Sequence, residues 1–169
     1  MVPIPEGAPE GAPDYQGLVA GVRTWRVANT MWARMGGWLW SLAMLDCWRK
    51  GVEWKEAECR NGHRIPGDDC ACGIWAFFDY QTMGRELGPV RGGPGEPYDY
   101  VAGIIGAGGD IVEHELGIRA QYAKVLAIFS DEWATPKEEI AAQYHSSIIA
   151  PGDYDSFCLD HRLIRLDRQ

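Results

Sequence analysis

Apolar positions along this chain come in short runs broken by glycine and proline, and their spacing predicts a mixture of strands and helices. Residues 18–27 read as a strand: Val19, Trp25 and Val27 share one face with Arg23, and Val22 and Thr24 add β-forming side chains. Gly36-Gly37 is a break, and residues 38–44 give a short apolar strand with Trp38, Trp40 and Leu42 on one side. In residues 53–59 charge alternates and Trp54 and Ala57 lie three apart, which fits one or two helical turns. Residues 61–69 read as a loop from Asn61-Gly62, Pro66-Gly67 and Asp68-Asp69. Residues 73–83 fit a short helix, with Ile74, Phe77 and Phe78 on one stripe.

Further on, residues 98–105 and 110–116 carry strand character, with Gly106, Gly108 and Gly109 marking a turn or bulge between them. Residues 110–116 alternate, with Ile111, Glu113 and Glu115 on one face and Val112, His114 and Leu116 on the other. Residues 118–129 fit a helix through Ile118, Tyr122, Val125, Leu126 and Phe129. Thr135 caps a further helix, Pro136 takes its first position and Glu138 completes a capping box. Ile140, Ala141 and Tyr144 give that helix its apolar face, and it stops before Pro151-Gly152. Residues 156–166 read as a final strand.

These elements place the chain in the α+β class: one domain, a mostly antiparallel sheet or partial barrel, and two to four helices. Residues 1–17, rich in proline and glycine, are expected to form a flexible N-terminal arm. Residues 18–169 are expected to form the globular domain, with a Gly/Pro-rich loop at 84–97. A chain of 169 residues buries enough surface for a core of its own. No internal repeat or second core is visible.

Composition adds limits on function. Apolar residues make up 46% and charged residues 24%, a globular balance, and eight tryptophans point to aromatic-rich packing. A formal charge of -8 argues against general nucleic-acid binding, which draws its affinity from neutralised phosphates. Arg23, Arg26, Arg34, Arg49, Lys50 and Arg60 cluster in the first third and read as solvated side chains. No run is long enough to cross a membrane and the start does not read as a secretory signal, so a reducing, cytoplasmic location is expected. Five cysteines, an odd number, then suit ligands, reactive groups or buried thiols better than disulfides.

The segment Cys59-Arg60-Asn61-Gly62-His63, followed by Cys70-Ala71-Cys72-Gly73, places four soft or borderline donors within fourteen residues. Zinc suits a tetrahedron of Cys59, His63, Cys70 and Cys72, and binding there would contribute directly to folding. Cys-x-Cys is tighter than the two-residue gap of common zinc knuckles, so both thiolates reach one ion only through a special turn. Unligated buried thiols, a different metal such as iron, and thiol chemistry stay open. In the last case His63 deprotonates Cys70 or Cys72, and Gly73 supplies backbone donors at a helix start. Cys47 and Cys158 read as packed thiols.

Glu113, His114 and Glu115 form a second ionisable group, but strand geometry turns Glu113 and His114 to opposite faces. Arg119 is placed to order Glu113 or Glu115, or to bind an anion. Asp68-Asp69 and Asp131-Glu132 read as solvated surface, because no third carboxylate stands at a calcium-loop spacing.

Several of these residues also recur as a pattern: Trp54, Ala57-x-Cys59, His63-x-x-Pro66 and Cys70-x-Cys72-Gly73-Ile74-x-Ala76. Gly103 to Gly109 and His114-x-x-Gly117-x-Arg119-Ala120 follow, with Arg23-x-Trp25 ahead of them. In these stretches, spread over about 100 residues, the chain resembles a family of small actinobacterial and actinophage proteins of uncharacterised function. The resemblance implies that residues 59–73 act as one unit, and it implies an actinobacterial or phage source. It supplies no reaction. One departure is Gly108, where that family commonly carries tryptophan.

Three functions compete on these residues. The leading one is a metal-stabilised small domain that binds another macromolecule, a protein with a basic surface suiting its negative field. The alternative is a small-molecule or nucleotide enzyme using metal-bound water or a Cys/His pair, with His63, His114, Glu115 and Arg119 as participants. A sequence-reading nucleic-acid module ranks last on charge.

Overall fold

The structure is a computed structural model, and it describes residues 17–27, 39–42, 47–49, 52–67, 69–87, 99–130 and 137–166. Among these residues the fold is α+β, with one mixed sheet of eight strands and three α-helices.

Three long strands make the frame. β1 (Val19–Val27) lies antiparallel to β6 (Asp99–His114), from Val19 opposite Ala107 to Val27 opposite Asp99. β6 turns at Glu115 and Leu116 into β7 (Gly117–Phe129), with His114 opposite Gly117. β5 (Ile74–Phe77) pairs with β7 along its whole length and meets β1 at Val22 opposite Phe77. The sheet therefore curls back on itself through one residue pair, which makes a partial ring rather than a barrel. The other strands are short. β2 (Leu39–Trp40) pairs with β1 and with β3 (Cys47–Trp48), β4 (Lys55–Glu56) pairs with β7, and β8 (Ser147–Ile149) lies parallel to the end of β7.

Both faces of the long strands are covered. Val19, Trp25 and Val27 pack with Trp48, Ile74, Ile105, Ile118 and Ile128 on one face, joined by Ile140 of α2 (Lys137–Gln143). Trp25 and Trp48 meet edge to face at 5.4 Å. On the other face, Ala20, Val22, Ile104, Ala127 and Phe129 are covered by two helices. α1 (Tyr80–Leu87) brings Met83, and α3 (Tyr154–Asp160) brings Tyr154, Phe157 and Cys158. Asp79 starts α1 by accepting from the backbone N–H of Thr82 at 2.6 Å and from its hydroxyl at 2.9 Å. Tyr144, just past α2, ties that helix to the β2–β3 pair by donating to the Trp48 carbonyl and accepting from the Leu39 N–H.

Burial on both faces explains where the sequence pattern misleads. Residues 118–129 form a strand, not a helix: β7 is buried almost throughout, the alternation at its start lasts only from Ile118 to Tyr122, and the apolar run 125–129 has no period of two. Residues 73–83 divide into strand β5 and the start of α1; Phe77 and Phe78 mark the corner between them, not one helical stripe. Residues 53–59 hold no helix either. The edge of β7 takes up their backbone groups, with Lys55 opposite Ala123 and the Ala57 N–H donating to the Gln121 carbonyl at 2.8 Å. Residues 156–166 are helix α3 and its exit, and only Ile164 bridges to Val19. Gly106, Gly108 and Gly109 mark a bulge, as one of the two expected alternatives has it, and not a turn between two strands. They lie inside β6, where the pairing with β7 shifts register between Gly108 and Ile111.

Residues 38 and 43–44 of the expected second strand, Thr135 and Pro136 of the expected cap, and residues 88–97 of the expected loop lie outside the described residues, as do residues 1–16. Gly84 to Leu87 belong to α1. Of the basic residues in the first third, Arg49 and Arg60 are exposed as expected, Arg34 and Lys50 lie outside the described residues, and Arg23 and Arg26 are half-buried and bonded within the fold. Arg23 donates to the Ser41 hydroxyl at 2.9 Å and to the Trp75 carbonyl, and Arg26 donates to the Ser41 carbonyl at 3.0 Å. Among the described residues, no helix is long and apolar enough to cross a membrane.

Candidate metal centre

The loop between β4 and β5 carries the four donors and is held on the open side of the β6–β7 hairpin. One ligand atom each from Cys59, His63, Cys70 and Cys72 fall within 4.8 Å of one another, so this group can hold a metal ion. Cys59 Sγ lies 3.3 Å from His63 Nε2 and 3.8 Å from Cys70 Sγ, and Cys72 Sγ lies 4.0 Å from His63 Nε2. A tetrahedral centre with bonds of about 2.0–2.3 Å places its donors roughly 3.5–3.8 Å apart. The 3.8 Å pair matches that edge, the 3.3 and 4.0 Å pairs lie within about 0.2 Å of it, and donors as far apart as 4.8 Å close by about 1 Å on binding.

Each donor has a local reason for its place. The Gly62 N–H donates to the Cys59 carbonyl, which turns the chain so that His63 comes back over Cys59. The ring of His63 is oriented by its own backbone, with Nδ1 2.6 Å from the Arg64 carbonyl. That bond places the Nδ1 proton and leaves the Nε2 lone pair toward the sulfurs, the usual second contact of a metal-binding histidine. Cys70 and Cys72 solve the Cys-x-Cys problem through the bend at Cys70, whose N–H turns back to the Gly67 carbonyl, and both sulfurs reach the group. Ala71 between them is exposed, and its carbonyl accepts from Trp75 Nε1 at 2.9 Å. Cys72 Sγ also accepts from the Gly67 N–H at 3.3 Å. Strand β5, not a helix, follows Gly73, so no helix N-terminus faces the thiols.

The electrostatics favour ligands over inert thiols. His63, then the Cys72 N–H, draw the Cys70 thiol down to about 7. The Arg64 carbonyl, and after it Cys70, raise the His63 imidazole above its ordinary value. The Asn61 N–H pulls Cys59 downward, but desolvation and the neighbouring thiols outweigh it and leave the group raised. One low and one raised thiol beside an imidazole are groups that share protons until a cation displaces them.

Sequence spacing alone did not reveal two supports. Arg119, buried at 8% exposure, turns beneath the loop instead of toward Glu113 or Glu115. Its Nη1 donates to the carbonyls of Gly67, Cys70 and Cys72. Arg64 closes a two-point ion pair on Asp110, which the register shift of β6 presents to the loop. That guanidinium holds the Asp110 carboxyl below its ordinary value.

His114 takes no part in the cluster. Its ring packs on Trp75 at 4.5 Å, and burial, aided by the Arg119 charge, lowers its pKa. Glu113 and Glu115 are exposed near the hairpin turn, and so is Asp69. Asp68, Asp131 and Glu132 lie outside the described residues. Cys158 is fully buried under α3 and its thiol is pushed up by burial, while Cys47 sits in β3; neither belongs to the group. A Cβ on Gly108 would touch Leu18 at 3.5 Å and the Trp54 ring at 3.7 Å, so those side chains border the position.

A cleft of about 630 Å³ opens beside the cluster, between the loop and β6. Asn61, His63, Arg64, Cys70, Asp110 and Ile111 are among its walls. No protein-family model, curated protein or solved structure matches the chain.

Proposed function

We propose that this chain is a zinc-stabilised domain that binds another protein in a reducing compartment such as the cytoplasm. The observation that carries the metal half is the convergence of three sulfurs and one imidazole nitrogen within 4.8 Å of one another. Zinc suits that mixture, because it accepts thiolate and imidazole without preferring any geometry other than the tetrahedron they make. Four protein donors fill the coordination sphere, which is the pattern of a structural site. The resemblance to the actinobacterial and actinophage family supports treating residues 59–73 as one unit.

A partner with a basic surface suits a chain of net charge -8, because the field steers such a protein toward it and repels nucleic acid. Arg23 and Arg26 are spent on hydroxyl and carbonyl oxygens within the sheet and do not present a phosphate-binding pair.

One observation favours a second reading, an enzyme acting on a small molecule: the cleft is walled by His63 and Cys70 themselves. His114 and Glu115 do not line it, so the participants would be the Cys/His pair.

Elemental analysis of the native protein at known concentration tests the metal. One zinc per chain is expected, and a protein purified without chelator that carries no metal and takes none up overturns it. Co-purification from the native source tests the partner. A stoichiometric protein that dissociates as salt rises is expected; a chain that elutes alone at low salt speaks for the enzyme.

A further inference from the structure

Resting on the metal reading, we propose that Arg119 is the positioning residue of the centre. Its guanidinium holds residues 70–72 by their backbone, in the shape that turns the Cys70 and Cys72 thiols toward Cys59 and His63.

A buried guanidinium is costly unless its donors are matched, and here the matching groups are backbone carbonyls of the loop. Nη1 lies 3.2 Å from the Gly67 oxygen and 3.2 Å from the Cys72 oxygen, and the same nitrogen donates to the Cys70 oxygen. The bend at Cys70 brings the Cys70 and Cys72 carbonyls to the same side, so one cation captures both. The intervening Ala71 carbonyl is taken by Trp75 Nε1 at 2.9 Å. Three consecutive carbonyls are thus fixed by two side chains of the sheet.

The anchor itself is rigid. Arg119 sits on β7 between Val112 of β6 and Trp75 of β5, and its guanidinium carbon lies 5.4 Å from the Trp75 ring. Charge works in the same direction. Three thiolates around a divalent ion leave one net negative charge, and a fixed guanidinium behind the ligand backbone offsets it without entering the coordination sphere.

The test is a cobalt(II) titration of the full chain, followed by thiolate-to-cobalt absorption and chelator competition, in wild type, Arg119→Met and Arg119→Lys. Arg119→Met is expected to bind cobalt about 10–100-fold more weakly, with altered visible bands. Arg119→Lys is expected to recover part of the loss, because an ammonium keeps the positive charge and offers three N–H donors where Nη1 shares two among three oxygens. An Arg119→Met protein with wild-type affinity and spectrum overturns the positioning role and leaves the metal reading intact. A wild type that binds no cobalt overturns the metal reading and this inference with it. Should Arg119→Met fail to fold by circular dichroism, Arg119→Lys and Trp75→Phe, which deletes the donor to Ala71 and trims the ring beside Arg119, carry the test. Wild-type affinity and bands in both then overturn the proposal, and weakened binding with a folded spectrum supports it.

Discussion

The imidazole of His63 occupies the space that a side chain on Gly67 would need: a Cβ there would lie 2.8 Å from Nδ1 and 3.1 Å from Nε2. Gly67→Ala therefore pushes the ring away from the Arg64 carbonyl and takes Nε2 off the sulfurs. Zinc or cobalt affinity is expected to fall by about tenfold or more. The melting temperature of metal-free protein should scarcely move, because the ring is exposed. Unchanged metal affinity in a titration would show that the ring does not bind from this position.

The thiols separate in the same way. Cys70→Ser should release the ion and lower the thermal midpoint by several degrees, because binding to the folded state alone adds to stability. Cys47→Ser should keep the full metal content, since Cys47 lies outside the group. Metal analysis of both variants checks the ligand set, and loss of the ion in the second would redraw it.

His114 predicts a pH dependence. Burial, with the Arg119 charge, lowers its pKa below 6.5, against an opposing bond with the Ile118 backbone. The unfolded chain therefore binds the proton more readily than the folded one. Its contribution to stability is complete above the ordinary histidine value and is lost as pH falls below it toward the lowered folded value. Urea midpoints at pH 7, 6 and 5 should decline, and His114→Gln should flatten that decline. Parallel curves for the two proteins would assign the effect to other groups.

Gly109 stands at φ +75°, and a Cβ there would come within 2.6 Å of the Tyr122 ring. Gly109→Ala is expected to cost about 1–3 kcal/mol. It should also loosen the neighbouring Asp110 from Arg64. Urea unfolding reads the first effect, and a rise of the Asp110 pKa in an NMR titration reads the second. A variant as stable as wild type would show that the bulge relaxes without strain.

What the sequence shows clearly is chemistry that is local. Cys59, His63, Cys70 and Cys72 lie within fourteen residues and the turns between them are written in Asn61-Gly62 and Pro66-Gly67, so their convergence can be read from spacing. The role of Arg119 cannot, because it acts across 47 to 52 positions of chain and depends on β7 pairing with β5. Strand β1 is legible from Val19, Trp25 and Val27 on one face and the β-forming Val22 and Thr24, although Arg23 interrupts the first face, and the α+β class agrees with the observed fold. Strand β7 imitates a helix because Ile118, Tyr122, Val125 and Phe129, all buried, also fall at helical spacing, and the apolar run 125–129 cuts short the alternation of residues 118–122. Helix α3 is hidden for the opposite reason: Tyr154, Phe157 and Cys158 give a short apolar stripe just after a proline turn, too brief to outweigh a strand.

β1 sends Val19, Trp25 and Val27 into one apolar layer and Ala20 and Val22 into the other. Neither layer can come apart while the other persists, for each would have to pull the same backbone in a different direction. The two layers consequently melt together as one cooperative unit, and the amide protons along this strand exchange with solvent only through the opening of the entire sheet.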